Sequence, residues 1–185
     1  MTQTRIGSTR TETDSLGELA IPADALWGIQ TQRAVDNFPV SRWTMPRAFL
    51  RALGLLKASC AEANATLGAM PKARAKAIRV AASRVAKGEF DHAFPVDVFQ
   101  TGSGTSSNMN ANEVIARLAS RALGQPVHGN DDVNMAQSSN DVIPSCIQVA
   151  AALETGKRLL PALKHLRKTI ERRARELAKI AKTGR

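Results

Sequence analysis

The sequence predicts a mainly α protein, in which an N-terminal helical domain with a small β-hairpin arm is followed by one long helix. Three observations predict this fold. Apolar residues recur at spacings of three and four over several long stretches, proline and glycine mark the ends of those stretches, and the first 45 residues lack the pattern. A hydrophobic content of 43% in 185 residues is sufficient for a buried core.

The first 45 residues are rich in Thr, Asp, Gly and Pro, which is typical of irregular structure. Short apolar runs in residues 16–22 predict a small hairpin, which Pro22 interrupts. We therefore expect an irregular arm that contains one hairpin.

Two amphipathic helices are predicted next. The first covers residues 46–67, with Pro46 suited to its first turn and Gly68 following its end. The second covers residues 71–87 and stops at Gly88, and its face opposite the apolar seam is basic. The two apolar seams consist of Phe49, Leu50, Leu53, Leu56, Cys60 and Ala61, and of Ile78, Ala81, Ala82 and Val85.

Polar loops then lead twice into a helix. The pattern breaks between residues 89 and 108 and resumes at Met109, and it breaks again over residues 127–140 before a long helix that begins near Asp141. We expect Pro161 to kink this helix, because a proline inside a regular helix costs about 3 kcal/mol. The seam of the long helix consists of Ile147, Ala150, Leu153, Leu160, Leu163, Ile170, Leu177 and Ile180.

A helix of nearly forty residues would be about 60 Å long, which is too long to be covered by a domain of this size. Its apolar seam therefore requires other helices, from further chain or from other subunits. We expect the chain to be a fragment of a longer protein.

The net charge of +10 is concentrated at one end of the chain. Residues 151–185 hold 11 Lys and Arg against 3 Asp and Glu, whereas residues 1–150 hold 15 against 13. The basic segment has no aromatic residue for base stacking, and its charges alternate with regularly spaced leucines. This pattern favours the solvated side of an amphipathic helix over nucleic-acid binding.

No signal peptide is indicated, because no N-terminal apolar run follows a basic start, and no membrane span is indicated, because no stretch of about 18 apolar residues occurs. The expected compartment is the cytoplasm. Cys60 and Cys146 lack a CxxC or Cys/His spacing, which favours reduced, mostly buried thiols. We expect no metal and no cofactor.

Two segments have the composition of a carboxylate-binding site. Ser103, Gly104 and Thr105 precede one helix, and residues 138–140, a Ser-Ser-Asn run, precede the next. The N-terminus of a helix presents free N–H groups and partial positive charge to an anion, and hydroxyl and amide side chains add donors. Ordinary N-capping requires only one such residue and remains an alternative for both segments. A dinucleotide fingerprint is disfavoured because a third glycine and a βαβ unit are lacking.

A third candidate is the turn formed by His128, Gly129, Asn130 and Asp131, which combines a titratable ring with an amide and a carboxylate. A surface histidine in an Asn-Asp turn is the alternative interpretation.

Several motifs together resemble class II fumarate hydratase, within the fumarase/aspartase superfamily. The order and spacing of the motifs also fit, and they extend over most of the chain. They are RTETDSLG at residues 10–17, LWGIQTQR at 26–33, QTGSGT at 100–105, SNMNANEVIA at 107–116, VHGNDDVN at 127–134 and QSSND at 137–141.

The resemblance implies a fumarase/aspartase-like N-terminal lyase domain over residues 1–137. It also implies that residues 138–185 are the first long helix of a helical bundle, truncated here. The enzyme would be a carbon–oxygen lyase that adds water reversibly to fumarate to give (S)-malate in the tricarboxylic acid cycle. The substrate would be a small dicarboxylate, and the full-length protein would be a homotetramer with neither nucleic-acid nor membrane partners.

The resemblance also assigns roles to residues. The substrate-binding set would be Ser103, Gly104, Thr105, Ser138, Ser139 and Asn140. Thr105, Ser139 and Asn140 would stabilise an aci-carboxylate intermediate, while Ser103 lines the site. A second dicarboxylate site would consist of His128, Gly129, Asn130 and Asp131.

This sequence departs from the family pattern at two positions. Gly129 replaces the usual proline and is expected to loosen the second site, and Arg117 stands where such enzymes commonly have Asn.

The acid and base are expected beyond Arg185, in a Thr-His pair and a flexible Gly-Ser-Ser loop with a later Lys and Asn. No complete catalytic set is therefore predicted here, and the isolated 185 residues are expected to be inactive. Two alternatives remain open: an enzyme like aspartate ammonia-lyase, and a non-catalytic fragment that acts as an interaction module. Residues 102–105 and the Ser-Ser-Asn run at residues 138–140 favour fumarase over aspartase. Aspartases tend to have one more residue in the first of these loops and Ser-Thr-Asn in the second.

Overall fold

The computed structural model describes residues 8–184 and confirms a mainly α protein with one small hairpin. Within these described residues, two strands come first and six α-helices follow. The elements are β1 (Thr9–Asp14), β2 (Gly17–Pro22), α1 (Ile29–Asn37), α2 (Arg47–Thr66), α3 (Lys72–Lys87), α4 (Thr105–Leu123), α5 (Ser139–Glu154) and α6 (Leu160–Leu177).

The predicted hairpin is confirmed. β1 and β2 pair antiparallel, with Thr9 opposite Pro22 and Asp14 opposite Gly17. Gly17 has a φ of +107°, a left-handed conformation that favours glycine, and the Leu16 N–H donates to Asp14 Oδ1 at 2.9 Å. These local contacts explain why the turn could be predicted from sequence.

The rest of the arm was predicted wrongly as irregular, because residues 29–37 form α1. The first seven residues of the predicted arm lie outside the described residues. α1 has no acidic residue in its first turn and no capping side chain of its own. Its N-terminus instead contacts Glu113 of α4, about 80 positions later in the chain. A contact so distant in sequence leaves no local signal.

The core lies between α2, α3 and α4. Both predicted helices of this core are confirmed, and α3 ends at Gly88 in the left-handed conformation as expected. α2 and α3 approach closely at Gly54, where a Cβ atom would lie 2.6 Å from the Ala86 nitrogen. The fully buried apolar side chains of this core include Leu53, Ile78, Val114 and Ile115.

The long terminal helix is interrupted, although not by a simple kink. A π-helical turn, Thr155–Leu159, separates α5 from α6, and Pro161 falls in the first turn of α6. The wider hydrogen-bonding pattern of a π-helical turn accommodates Pro161, which has no N–H to donate. This explains why the turn lies directly before α6. α6 ends at Leu177, before the end that the sequence pattern predicted.

α6 carries an exposed apolar stripe. Its leucine and isoleucine side chains are about half exposed, with Leu163 at 50% and Ile170 at 58%. No helix within residues 8–184 has the length and apolar character needed to span a membrane. The full stripe extends one to three residues beyond the ends of α6 and consists of Leu159, Leu160, Leu163, Leu166, Ile170, Leu177 and Ile180.

Candidate functional site

A tight turn formed by Gly102–Gly104 leads into α4. Ser103 and Gly104 both have a left-handed backbone, with φ values of 61° and 63°. A Cβ on Gly104 would also lie 3.1 Å from Cγ2 of Ile143 in α5. Glycine is therefore favoured at position 104, by its left-handed conformation and above all by the close approach of the turn to α5.

α4 begins at Thr105, four residues before the predicted start at Met109. Ser106, Ser107 and Asn108 lie in its first turn and are buried, so they are not part of an open loop. Gln100 fixes Ser107, because its Oε1 accepts from the Ser107 N–H at 2.8 Å and its Nε2 donates to the Ser107 hydroxyl at 2.9 Å. The exposed hydroxyls at this helix start are those of Ser103 and Thr105.

The segment before Gln100 is held by Asp97. Its carboxylate accepts from the backbone N–H groups of Ser41, Arg42 and Phe99, and its carbonyl accepts from Gln100 Nε2 at 2.8 Å. Desolvation by burial raises the pKa of Asp97, but the hydrogen bonds together outweigh it and lower the pKa. Asp97 is therefore an ionised anchor for the turn that leads into α4.

α5 begins at Ser139, and Ser138 is its N-cap. The Ser138 hydroxyl accepts from the Asn140 N–H at 3.2 Å, so the capping interpretation holds for this residue. Capping does not account for the side chains of Ser139 and Asn140, which are half-buried and exposed respectively.

The starts of α4 and α5 lie side by side in one chain. Asn108, in the first turn of α4, donates from Nδ2 to the Ser139 hydroxyl oxygen at 3.1 Å. Ile143, in the second turn of α5, packs against the Gly104 turn. The two predicted carboxylate-binding segments therefore share one surface.

A buried polar cluster lies beneath this surface. We call Lys57, Asn108, Asn134, Gln137 and Ser139 the Lys57 cluster. The Lys57 side chain is fully buried, and its Nζ donates to Asn134 Oδ1 at 3.0 Å and to Gln137 Oε1 at 2.9 Å. Burial lowers the pKa of Lys57 to about 8.

Sequence reasoning missed Lys57, although a signal was present. Lys57 follows Leu53 by four residues and precedes Cys60 by three, so it lies on the predicted apolar seam of α2. The ammonium group of a lysine on such a seam is buried, unless the long side chain carries it to the surface. Both cysteines are free as expected, with Cys146 buried and Cys60 half-buried, and burial raises the pKa of each thiol.

The His128 turn is ordered by a residue that sequence reasoning did not single out. Gly129–Val133 form a π-helical turn, and the buried Asp132 accepts from the His128 N–H at 2.8 Å. Arg74 of α3 forms an ion pair with Asp132 at 2.9 Å. His128, Asn130 and Asp131 are left exposed and Gly129 half-buried.

A cleft of about 560 Å³ lies beside this turn. Its lining includes Arg117, Arg121 and His128, together with Glu12, to which Arg117 Nη2 donates at 2.5 Å. Gly129 lies near Asn112 of α4, because a Cβ atom added to Gly129 would be 3.5 Å from the Asn112 Cβ. Asn112 is one helical turn after Asn108. The two predicted sites therefore lie along one side of α4. Within residues 8–184, no three His, Cys, Asp or Glu side chains are grouped as metal ligands.

The chain is similar to known proteins over nearly its whole length. The chain is 60% identical over 176 residues to class II fumarate hydratase of Xylella fastidiosa (strain 9a5c), a match that covers 95% of this chain and 37% of that protein. It is 59% identical over 177 residues to "fumarate hydratase class II 2" of Pseudomonas aeruginosa, covering 96% of this chain and 39% of that protein. The chain thus spans well under half the length of these curated relatives.

Solved structures give the same result. The class II fumarase of Schistosoma mansoni superimposes with a TM-score of 0.92 at 37% identity, over 96% of this chain and 39% of that one. The fumarate lyase:delta crystallin of Brucella melitensis in native form gives a TM-score of 0.91 at 46% identity, over 96% of this chain and 43% of that one. The resemblance to class II fumarate hydratase is confirmed. Because a sequence family described as Lyase matches residues 17–185, nearly the whole chain, the chain belongs to that family of lyases.

Proposed function

We propose that this chain is part of a longer enzyme that catalyses the reversible hydration of fumarate to (S)-malate, a reaction of the tricarboxylic acid cycle, and that the chain itself lacks the later catalytic residues. The adjacency of the α4 and α5 starts is the observation that supports this most strongly. Asn108 of α4 joins Ser139 of α5 at 3.1 Å, so two helix N-termini and their exposed donors face one surface. Such a surface suits one small dicarboxylate.

In this proposal the two helix starts bind the substrate carboxylate that gains charge during the reaction. Thr105, Ser139 and Asn140 donate to it, Ser103 lines the site, Gly104 permits close backbone approach, and Ser138 holds the first turn of α5. A carbanion adjacent to a carboxylate is stabilised as an aci-carboxylate, which requires several donors around one group. Hydrogen bonds to a charged group contribute about 1.5–3 kcal/mol each.

The remaining walls and the acid–base groups would come from outside residues 8–184. The exposed surface of Ser103, Thr105 and Asn140 is compatible with that arrangement. We further propose that residues 1–137 form the N-terminal lyase domain and residues 138–185 begin a helical bundle. The apolar stripe of α6 would pack there, in a cytoplasmic homotetramer.

His128, Gly129, Asn130 and Asp131 are proposed as a second dicarboxylate site. The cleft beside them contains Arg121 and the His128 ring, both of which can donate to a carboxylate. Its volume of about 560 Å³ is ample for a four-carbon diacid.

A chimera tests the proposed function directly. This chain would replace the matching 176-residue region of the Xylella fastidiosa class II fumarate hydratase, to which it is 60% identical. We expect fumarate–malate interconversion comparable to that of the parent enzyme, and no ammonia release from L-aspartate. A soluble chimera that assembles like the parent but converts neither fumarate nor malate would contradict the proposal, and deamination of aspartate would favour an aspartate ammonia-lyase.

The alternative of a non-catalytic interaction module is favoured by one observation, the exposed apolar stripe of α6. It predicts that the chimera is inactive while the 185-residue chain self-associates. The activity of the chimera separates the two functions, because self-association through the α6 stripe is expected under both.

A further inference from the structure

Lys57 is a buried cation whose hydrogen-bond partners are neutral amides. Its side chain is 0% exposed, and its Nζ contacts Asn134 Oδ1 and Gln137 Oε1. Among the described residues no carboxylate forms an ion pair with it. Burying an ammonium group is unfavourable. An apolar residue would fill the position at lower cost, so the choice of lysine requires a reason.

The lysine determines the orientation of two amides. An ammonium group only donates, so both Asn134 and Gln137 must turn their oxygens toward it. Their N–H groups then point to the backbone: Asn134 Nδ2 donates to Gln137 O at 3.1 Å, and Gln137 Nε2 donates to Val133 O at 2.9 Å. These bonds close the loop that leads into α5.

The orientation is transmitted to Ser139 by Asn108. Asn108 Nδ2 donates to Asn134 Oδ1 at 3.1 Å and to the Ser139 hydroxyl oxygen at 3.1 Å. If the Asn108 side-chain amide were flipped, Asn108 Oδ1 would face Asn134 Oδ1, and the two oxygens would repel each other. Because the Ser139 oxygen accepts from Asn108, the hydroxyl proton of Ser139 has to point elsewhere.

We propose that Lys57 is a positioning residue which, through Asn134 and Asn108, keeps the Ser139 hydroxyl as a donor to the substrate carboxylate. This inference rests on the proposed function and adds to it the group that orients one of its donors. The bond that Ser139 accepts from Asn108 also strengthens the Ser139 hydroxyl as a donor, because a hydroxyl that accepts a hydrogen bond becomes a better donor. Lys57 acts here without contacting the substrate.

A double-mutant cycle in the chimera tests the inference. The variants are Lys57→Met, Ser139→Ala and the double variant, with the exposed Lys76→Met as the matched control. We expect each single variant of the cycle to raise the KM for fumarate about tenfold to a hundredfold. The KM of the double variant should not exceed that of the more impaired single variant, because both substitutions remove the same donor. The control should match the unsubstituted chimera.

Independent, multiplicative effects of Lys57→Met and Ser139→Ala would overturn the inference, because they would show that Lys57 acts on stability or packing alone. An unchanged KM for Lys57→Met would do the same. If Lys57→Met does not fold, the half-buried Asn134→Ala interrupts the same chain of bonds and takes its place in the cycle with the same expectations.

A measurement without substrate separates failure of this inference from failure of the proposed function. Backbone amide exchange is measured in the 185-residue chain and its Lys57→Met or Asn134→Ala variant. We expect exchange over residues 133–140 to accelerate about tenfold, with α3 unchanged. Unchanged exchange over residues 133–140 would refute the positioning role, whereas an inactive unsubstituted chimera would refute only the proposed activity.

Discussion

The N-termini of α1 and α5 use their free N–H groups in opposite ways. At α1 the Glu113 carboxylate accepts from the N–H groups of Gly28, Gln30 and Thr31 at 2.9–3.1 Å, and from the Thr31 hydroxyl. At α5 a single serine hydroxyl caps one N–H, and Asn140 remains exposed. One helix start already contains a carboxylate, and the other is proposed to receive one.

The comparison extends to the buried charges. The closed N-terminus of α1 is paired with a carboxylate from α4, whereas the open N-terminus of α5 lies above a buried ammonium group, that of Lys57. A positive charge beneath an open helix start adds to the attraction for an anion. We infer that an N-terminus closed internally stabilises the fold, and that one left open is available for a ligand.

The largest expected effect comes from opening the closed terminus. Glu113→Ala removes the acceptor for three N–H groups and one hydroxyl, and should lower the free energy of unfolding by about 4 kcal/mol. Denaturant unfolding of the 185-residue chain measures this. The exposed Glu18→Ala is the control and should change stability by no more than about 0.5 kcal/mol. Equal effects of the two substitutions would show that Glu113 does not hold α1.

The second prediction concerns the buried cation under the open terminus. The pKa of Lys57 is about 8 in the folded chain against 10.5 for a free lysine, so between these values the unfolded chain binds more protons. The stability contributed at this position therefore rises with pH over that window. Relative to Lys57→Met, the unsubstituted chain should gain about 3 kcal/mol between pH 7 and pH 11.

The pH dependence is measured by denaturant unfolding at several pH values. Lys76→Met is again the control, and its stability difference from the unsubstituted chain should stay flat over the same range. A flat difference for Lys57→Met as well would mean that the Lys57 ammonium is solvated rather than buried.

The third prediction tests whether the open terminus binds a dicarboxylate. Asn140→Ala in the chimera should raise the KM for fumarate about tenfold, because one donor to the carboxylate is lost. Stability should change by no more than about 0.5 kcal/mol, because the side chain is exposed. Gln148→Ala, an exposed amide further along α5, is the control. If Asn140→Ala lowered stability and left the KM unchanged, Asn140 would stabilise the folded chain and not bind fumarate.

The smallest effect separates capping from binding at one residue. Ser138→Ala should cost about 1 kcal/mol of stability through loss of the cap on Asn140. Ser138→Asp should restore stability, because aspartate caps equally well, but should weaken fumarate binding since it places a carboxylate at the open terminus. Restored stability together with unchanged binding would place the substrate elsewhere.

Much of the fold was predictable because its signals are local. The hairpin, the apolar seams of α2 and α3, and the left-handed Gly88 at the end of α3 follow from residues within a few positions of each other. The start of α4 was predicted too late, at Met109. The buried polar residues Ser106–Asn108 interrupt the apolar pattern although they are helical, because their side chains bind polar partners: Thr101 for Ser106, Gln100 for Ser107 and Ser139 for Asn108. The π-helical turn before Pro161 was predicted only as a kink.

By itself, the sequence determined the helical segments after residue 45, which helix starts are rich in donors, and which family the motifs resemble, because those properties depend on neighbouring residues. Only the tertiary structure decided that Glu113 closes the start of α1 while that of α5 stays open, and that Lys57 donates to Asn134 and Gln137 just before α5. Those contacts join residues about 80 positions apart. A hydrogen-bond partner at such a separation is selected by how the helices pack, and no local pattern encodes it.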